Sequence, residues 1–522
     1  MDKQRIVILA ALGVVVWLLI MAWQKDYGNP TRETAELTTE LGLEGTKEVT
    51  SQFIDIETPL VFAKINPKGG DLVFLALKKY PESKDQPDNA FVLLENNDQV
   101  INVVQSGLIG QNGINKVLKE APVFSAEKTK YQIEQGNLVV PLSFEHEGVS
   151  YEKTYTFHAD DYLIDVDYTV NNASSNALLV KFYGQLKRNS ADDPSSANAG
   201  FIPLPTFLGG AYGTPEETFN KLTFDDFNDD NPKVSTEGGW IAMVQHYFLS
   251  AWIPSEQGQH RLSTRQKGEM NYVTFEDEQV LINPNTSQTL GAQLYVGPKI
   301  QERLSEIKPG LEQTVDYGFL WFIAKYLFAG LKWIYGLVGN WGLAIIGLTF
   351  LIKLALYPLS YSSYKSMAKM RKFAPKMKIL REKYKDDRQK LSQEMMALYK
   401  KEKISPMGGC LPILLQMPVF LSLYWVLLES VELRQSPFLW IQDLSLLDPF
   451  FILPLLMGVS MYFQMKLNPT PQDPMQQSVM KWMPWMFTIL FLWFPAGLVL
   501  YWLTNNVLTI AQQWWINRSL DD

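Results

Sequence analysis

Short runs in which apolar and polar residues alternate fill the first two thirds of the chain. At residues 164–170 the alternation has a period of two, as expected for a strand with one buried and one wet face. Clusters of Asn, Gly, Pro and Asp separate the runs. Further runs with strand character are residues 60–65, 71–77, 91–94, 153–157, 178–186, 248–253 and 290–296. This pattern predicts a large all-β sandwich over residues 53–318.

A continuous apolar stretch lies near the N-terminus. Residues 6–23 are 18 uncharged positions that follow Lys3 and Arg5, and they are long enough to cross a hydrocarbon core of about 30 Å. A cleaved signal peptide is the alternative, but the small-x-small cleavage site is missing. We therefore expect residues 1–25 to be an uncleaved signal-anchor span with a cytoplasmic N-terminus. A polar linker over residues 26–52 follows.

The last third of the chain is dominated by apolar stretches. Residues 319–338 are apolar but carry Lys325 and Lys332 beside aromatic residues on one helical face, which favours an amphipathic helix in the membrane interface over a span. Residues 339–518 are predicted to form the core of a helical membrane domain, and residues 519–522 a short acidic tail. The expected spans of this core lie near residues 341–359, 412–428, 450–465, 480–494 and 498–516.

The segment 360–405, between the second and third of six predicted spans, is strongly basic. It holds 14 Lys and Arg against 5 Asp and Glu, so the positive-inside rule places it, and both termini, in the cytoplasm. It is predicted to be a helical hairpin that turns at Asp386 and Asp387. Lys369, Arg371 and the two aspartates are candidates for docking a partner such as ribosomal RNA. A solvated basic face beside anionic lipid is the alternative.

Charge is divided unequally between these parts. The whole chain has a net charge of −8 and a mean hydropathy of −0.08. However, residues 24–318 carry 24 basic and 42 acidic side chains, and the remainder carries 23 and 13. An acidic body is therefore joined to a basic, apolar one, which indicates two different environments.

Sites of known chemistry are scarce in the sequence. The chain has 1 Cys and 4 His, which argues against a disulfide scaffold, a thiolate metal site or a His-based metal site. No nucleotide-binding, zinc-protease or nucleophile-elbow motif occurs. We therefore predict no enzymatic activity, no cofactor and no metal.

Polar residues inside the predicted spans are the more informative candidates. Lys353 lies in the second span, where a charge costs about 2.5–3.5 kcal/mol on insertion scales and indicates function; snorkelling to the headgroups is the alternative. Trp502, Asn506, Thr509 and Gln513 form one helical stripe. Either these groups line a hydrophilic cavity or they join helices by hydrogen bonds. The candidate groove residues are Lys353, Thr349, Gln416, Trp502, Tyr501, Asn505, Asn506 and Thr509.

Several motifs in order resemble the YidC/Oxa family of membrane protein insertases, in the Gram-negative form with a large periplasmic domain. The matching segments are residues 238–240 (GGW), 251–254 (AWIP), 366–371 (SMAKMR), 393–399 (QEMMALY), 408–410 (GGC) with Pro412, 416–418 (QMP), 431–434 (VELR), 473–477 (DPMQQ) and 491–495 (FLWFP).

This resemblance implies a multi-pass protein of the bacterial inner membrane with a periplasmic β-supersandwich and five core helices around a hydrophilic groove. The family's groove cation, usually Arg, matches Lys353, which keeps the charge without the planar fork. A groove threonine matches Thr349, and a family tyrosine matches Trp502. Many relatives end in a basic extension that engages ribosomes. This sequence ends at Asp522, so docking through the tail is not expected.

The leading hypothesis is an insertase and chaperone for nascent inner-membrane proteins that works alone or with the Sec translocon (SecYEG, SecDF). The expected partners are nascent membrane proteins, the lipid bilayer, the Sec translocon and, as an option, the ribosome. A solute transporter with a ligand-capturing periplasmic domain is the alternative. An envelope enzyme that uses the sandwich as a sugar-active domain is a third hypothesis.

Overall fold

The structure is a computed structural model that describes residues 52–84, 86–193, 206–229, 233–384, 387–402, 411–467 and 474–521. The predicted signal anchor and all but the last residue of the predicted linker lie outside these residues. Asp386, Cys410 and the end of the acidic tail also lie outside them.

The first half of the described chain is a β domain. Its strands are β1 (Ile54–Glu57), β2 (Val61–Asn66), β3 (Asp71–Ser83), β4 (Gln86–Asn96), β5 (Ile101–Ile109), β6 (Ser125–Ala126), β7 (Lys130–Gln132), β8 (Asn137–His146), β9 (Val149–His158), β10 (Leu163–Asn172), β11 (Leu178–Asn189), β12 (Gly209–Gly213), β13 (Asn220–Leu222), β14 (Val234–Glu237), β15 (Trp240–Val244), β16 (Phe248–Ile253), β17 (Gln259–Lys267), β18 (Met270–Glu276), β19 (Val280–Ile282) and β20 (Thr286–Pro298). Short helices α1 (Ile114–Val117), α2 (Asp226–Asp229) and α3 (Gln301–Ile307) lie between or after them.

These strands form two sheets. The larger has the order β14-β17-β18-β11-β5-β4-β3-β2-β1-β7, with β19 paired to β11, and the smaller has the order β13-β12-β15-β16-β20-β10-β9-β8-β6. Most neighbours are antiparallel, whereas β1 and β7 are parallel. An all-β domain is therefore confirmed.

Residue alternation explains why these strands pack face to face. In β10, Val166 and Tyr168 are buried, while Asp165 and Asp167, which alternate with them, are partly exposed. The same two-residue period runs through all of β11. Because successive side chains point to opposite faces of a sheet, each strand gives one apolar face to the space between the sheets.

Helices form the rest of the described chain. They are α4 (Trp321–Val338), α5 (Trp341–Ala355), α6 (Tyr357–Lys383), α7 (Arg388–Lys401), α8 (Leu411–Glu429), α9 (Ile452–Leu467), α10 (Pro474–Phe491) and α11 (Ala496–Asp521). Their buried residues form a second hydrophobic core, separate from that of the sandwich.

The predicted span at 341–359 is broken in the structure. Helix α5 ends at Ala355, and α6 starts at Tyr357 at an angle of 68° to it. Pro358 lies in the first turn of α6, where its missing N–H costs nothing, although the same residue would interrupt a continuous helix. Helix α6 thus begins three residues before the segment predicted to form the hairpin.

The described helices fall short of single membrane spans in length or in apolar composition. No single one of them has both the length and the composition to cross a bilayer, and the bent pair of α5 and α6 meets these criteria jointly. The number of spans stays a prediction.

Candidate functional site

Lys353 lies inside the helical bundle. It projects from the last turn of α5, is 3% exposed, and its Nζ donates a hydrogen bond to Thr509 Oγ1 on α11 at 2.7 Å. Within the described part of the chain no carboxylate forms an ion pair with it. The ammonium therefore points toward a neighbouring helix, and the snorkelling alternative does not describe this geometry.

Thr509 holds the lysine in place from the opposite helix. Its hydroxyl donates to Asn505 O, one turn earlier, at 2.6 Å, which leaves the oxygen lone pairs free to accept from Lys353. The Tyr364 hydroxyl of α6 lies near the Thr509 hydroxyl. Tyr364 is itself buried, with Met367 and Ile516. Helix α6 consequently covers the lysine on one side.

The polar stripe predicted on α11 is divided between two neighbours. Asn506 Nδ2 donates to Ser460 Oγ on α9 at 3.2 Å, and Gln513 Nε2 donates to Leu467 O at the end of α9 at 3.1 Å. These amides thus join helices, whereas Thr509 one turn away serves Lys353. The interhelical hydrogen bonds of Asn506 and Gln513 fit the second alternative for the stripe, and the hydrophilic cavity stays a prediction.

Aromatic residues border the cluster on its outer side. Trp502 is half-buried and contacts Phe420 of α8 edge to face, with ring centroids 4.6 Å apart. Tyr501 is buried and stacks on the same ring at 6.2 Å. Phe491 of α10 also contacts Trp502, at 5.0 Å. Three helices therefore meet at Trp502, and its place in a groove stays a prediction.

The remaining groove candidates are placed less centrally. Thr349 is buried one turn before Lys353, but its hydroxyl donates to Ile345 O within α5 at 2.6 Å. Gln416 is partly exposed on α8, and Asn505 is partly exposed and contributes its backbone carbonyl to Thr509. Proximity to Lys353 supports Thr349 more strongly than Gln416.

The hairpin candidates have different surroundings. Arg371 Nη2 donates to Lys466 O at 3.1 Å and to Leu467 O at 2.6 Å, so it caps the end of α9. Asp387 caps α7 by accepting from Lys390 N at 2.9 Å, and Lys369 is partly exposed on α6. Asp386 lies outside the described residues. Arg371 and Asp387 thus have structural contacts within this chain.

Sequence reasoning missed one contributor to the cluster, Ser460, and placed another, Gln512, on the polar side of α11 without including it among the groove residues. Ser460 partners Asn506, and Gln512 Nε2 donates to the backbone oxygen of Lys353 at 3.5 Å. Gln512 Oε1 is buried and has no partner among the described residues. The polar character of α11 pointed to Gln512, but a lone serine in α9 carried no signal.

The outer surface of the bundle is apolar. Exposed positions include Phe350, Leu354, Val459, Trp485 and Val507, each more than half exposed. Such a surface around a buried cation is typical of helices that face lipid. These features together define a membrane-embedded bundle joined to a two-sheet β domain.

Comparison with known proteins agrees with this class. Residues 53–329 match the family described as YidC periplasmic domain, and residues 333–522 match the family described as 60Kd inner membrane protein. The membrane protein insertase YidC of Pseudomonas aeruginosa (strain LESB58) is 46% identical over 574 aligned positions, covering 100% of this chain and 99% of that protein. The corresponding protein of Stutzerimonas stutzeri (strain A1501) is 47% identical over 555 positions, with the same coverage of 100% and 99%.

Two solved structures share weaker similarity. The structure of an active YidC insertase with its first transmembrane domain resolved is 18% identical, with a TM-score of 0.38 over 89% of this chain and 92% of that one. A galactose mutarotase related enzyme from Lactobacillus acidophilus is 12% identical, with a TM-score of 0.32 over 47% of this chain and 97% of that one. From the sequence matches, the chain belongs to the YidC family of membrane protein insertases, which are inner-membrane proteins with a periplasmic domain.

Proposed function

We propose that this chain inserts nascent inner-membrane proteins and assists their folding through a groove whose attracting charge is Lys353. The observation that carries the proposal is the burial of this ammonium among helices with a single hydroxyl partner and no described carboxylate. A charge in such surroundings is costly and indicates function. The relatives' name, membrane protein insertase, supports the same conclusion.

The proposed mechanism follows from the charge and its neighbours. An acidic or polar segment of the substrate exchanges its hydration for the Lys353 ammonium and the hydroxyl of Thr509. The apolar segment of the substrate then moves into lipid, which favours the step by about 0.8 kcal/mol per CH₂ group. A membrane potential that is positive outside favours export of acidic segments. Neither catalysis nor a nucleotide is part of this mechanism.

Access to the lysine requires a movement in this scheme. Tyr364 of α6 lies near Thr509 and packs against Ile516, so in this proposal the described arrangement is a closed one. A substrate segment would compete with Tyr364 for Thr509 and displace the first arm of the hairpin. The closed arrangement accordingly represents the state before a substrate binds.

Topology and partners form the rest of the proposal. Six spans, with both termini and the hairpin in the cytoplasm, would place Lys353 near the inner leaflet. The Sec translocon is the expected partner for larger substrates, and the ribosome is a further candidate at the hairpin. The 14 Lys and Arg of residues 360–405 support this orientation.

Photo-crosslinking to a stalled single-span nascent chain tests the groove. A photoreactive side chain at Thr349 or Trp502 should capture the substrate. The matched controls are Leu354 and Val507, which are exposed positions on the same helices, 59% and 51% exposed respectively. Capture only at the two controls would refute the groove, and a solute transporter would give no capture at any position.

Replacement of the charge tests the mechanism. Lys353→Met should slow the insertion of substrates with acidic translocated segments by about tenfold, which corresponds to about 1.4 kcal/mol of lost charge stabilisation. Leu354→Met is the control at the neighbouring exposed position. Normal insertion of every such substrate by Lys353→Met would reduce the residue to a structural role.

A further inference from the structure

A buried ion pair joins the β domain to the helical bundle. Lys299 follows β20, and Glu429 is the last residue of α8. The Lys299 Nζ and Glu429 Oε2 atoms are 2.8 Å apart, with side chains only 2% and 3% exposed. Lys299 also donates to Thr314 O at 3.4 Å. Removing one partner of such a pair leaves a charge without compensation inside the protein, so the pair constrains both elements.

A turn of the smaller sheet meets the same helix end. The turn between β15 and β16 contains His246, whose Nε2 lies 3.1 Å from Leu428 O. Because a carbonyl oxygen only accepts, the ring donates from Nε2. Two hydrogen bonds from elsewhere in the β domain hold the turn in place: His246 N donates to Asp193 Oδ2 at 2.7 Å, and Lys299 N donates to Tyr247 O at 2.8 Å. The last turn of α8 therefore has two independent contacts with the sandwich.

The chain after α8 continues this attachment. Val431 is buried in the sandwich core, whereas Leu433, two residues later, is buried in the bundle core. The guanidinium of Arg434 lies over the rings of Phe91 and Phe248, 5.5 and 5.7 Å from their centroids. Both hydrophobic cores thus include residues from one short segment, and the outer end of α8 is held by the β domain.

The same helix carries a wall of the candidate groove. Phe420 contacts Trp502 nine residues before Glu429, a distance of about 13 Å along a helix axis. Pro418 inside α8 removes one backbone hydrogen bond near Phe420 and weakens the helix there. The position of Phe420 against Trp502 consequently depends on where the outer end of α8 is fixed.

We propose that Lys299 of the β domain is a positioning residue for insertion, which fixes the outer end of α8 through Glu429 and so holds Phe420 against Trp502. The proposal rests on the proposed groove function. It gives the β domain a mechanical role in the groove, exerted through the segment at Lys299. The β strands away from this segment take no part in that role.

Charge exchange in the full-length chain tests the proposal. Lys299→Met and Glu429→Gln should each lower the insertion rate of a single-span substrate in proteoliposomes by about tenfold, and the exchanged pair Lys299→Glu with Glu429→Lys should recover it to within about twofold. Lys308→Met is the matched control, because this buried lysine pairs with Glu256 within the β domain. The control should insert substrate at the unaltered rate.

A second readout follows the helix position itself. Cysteines at Tyr424 and Phe494, whose rings are 6.5 Å apart, are joined by a bifunctional thiol reagent in a Cys410→Ser background. The efficiency of joining should fall in Lys299→Met and return in the exchanged pair. The proposal is overturned if Lys299→Met leaves both the crosslinking efficiency and the insertion rate unaltered. It is also overturned if the exchanged-pair protein inserts substrate no faster than the single variants or does not accumulate in the membrane.

These outcomes are separable from a failure of the groove itself. If the unaltered chain captures substrate at Trp502 but is indifferent to Lys299→Met, only the positioning role fails. If the unaltered chain captures no substrate at Trp502, the groove function fails whatever the Lys299 variants show.

Discussion

A buried polar cluster between the sheets of the β domain allows a quantitative prediction. Lys153 on β9 is fully buried, and its Nζ donates to Ser106 O at 3.2 Å and Gly69 O at 3.3 Å. Asp71 on β3 is near this ammonium and accepts from Gln105 Nε2 at 2.7 Å. Burial lowers the pKa of Lys153 from 10.5 to about 8, an effect that Asp71 partly opposes.

The pKa shift sets the size and sign of the effect. A fall from 10.5 to about 8 corresponds to about 3 kcal/mol that disfavours charged Lys153 in the folded domain. Between these values the unfolded chain binds more protons than the folded one, so the free energy of unfolding should rise with pH across that window. Burial also raises the pKa of Asp71, despite the opposing effect of Lys153. Both partners therefore carry a desolvation cost at neutral pH.

Replacing one partner and replacing both should have opposite effects. Lys153→Met leaves the Asp71 carboxylate buried without the neighbouring ammonium, with the hydrogen bond from Gln105 retained, and should destabilise the sandwich by about 3–5 kcal/mol. The double variant Lys153→Met with Asp71→Leu should be neutral or more stable by about 1–4 kcal/mol. It should also lose the rise in stability between pH 8 and 10.5. Lys64→Met, at a partly exposed lysine on β2, is the control.

Hydrogen exchange of the full-length protein measures these differences. Mass spectrometry of peptides from β9 and β10 reports the free energy of opening of the sandwich, after correction for the intrinsic exchange rate at each pH. The reasoning is refuted if the double variant is as unprotected as Lys153→Met. Constant protection of the unaltered protein between pH 8 and 10 would refute the proposed titration.

Two further predictions concern the helical bundle. Arg371→Ala removes the cap from the last carbonyls of α9, and the lost charged hydrogen bonds, worth about 1.5–3 kcal/mol each, should speed amide exchange in α6. The neighbouring variant Lys372→Ala should leave the exchange rate unchanged, and equal rates in the two variants would contradict the capping role. Gly458→Ala would bring a Cβ to 1.9 Å from Thr488 Oγ1 and should destabilise the bundle by about 1–3 kcal/mol. Gly336 has open space around it, so Gly336→Ala should leave the melting temperature unchanged or raise it. Equal melting temperatures of the two variants would exclude the clash.

Local patterns were sufficient to predict the β domain. Each of the eight runs identified from the sequence overlaps a strand, and 248–253 coincides with β16. A two-residue period is a property of each strand by itself, so the sequence displays it directly. The pairing order of the sheets was not predictable, because β10 pairs with β20 more than a hundred residues later.

The candidate site was predictable only in part, because its geometry depends on how helices face one another. Lys353 and Thr509 were recognised as polar residues within apolar helices, but their hydrogen bond joins positions 156 residues apart. The sequence of α11 could not show that Asn506 would form a hydrogen bond with Ser460 on α9 instead of facing Lys353. Glu429 ends an apolar stretch, and nothing in the sequence indicated that it would pair with Lys299, 130 residues earlier.

Comparison of three buried lysines shows why Lys353 is the functional candidate. Lys153 and Lys299 are both almost fully buried, and each has an acidic neighbour, Asp71 and Glu429 respectively, together with carbonyl acceptors. The ion pair of Lys299 and Glu429 fixes geometry, since its charges are compensated, and Asp71 offsets part of the cost of burying Lys153. Lys353 is equally buried but has a neutral partner, the Thr509 hydroxyl. An ammonium has three donors, and a site whose described residues supply a cation without its anion could accept an acidic substrate segment. Under the proposed function the carboxylate that this cluster lacks is the one that the substrate brings.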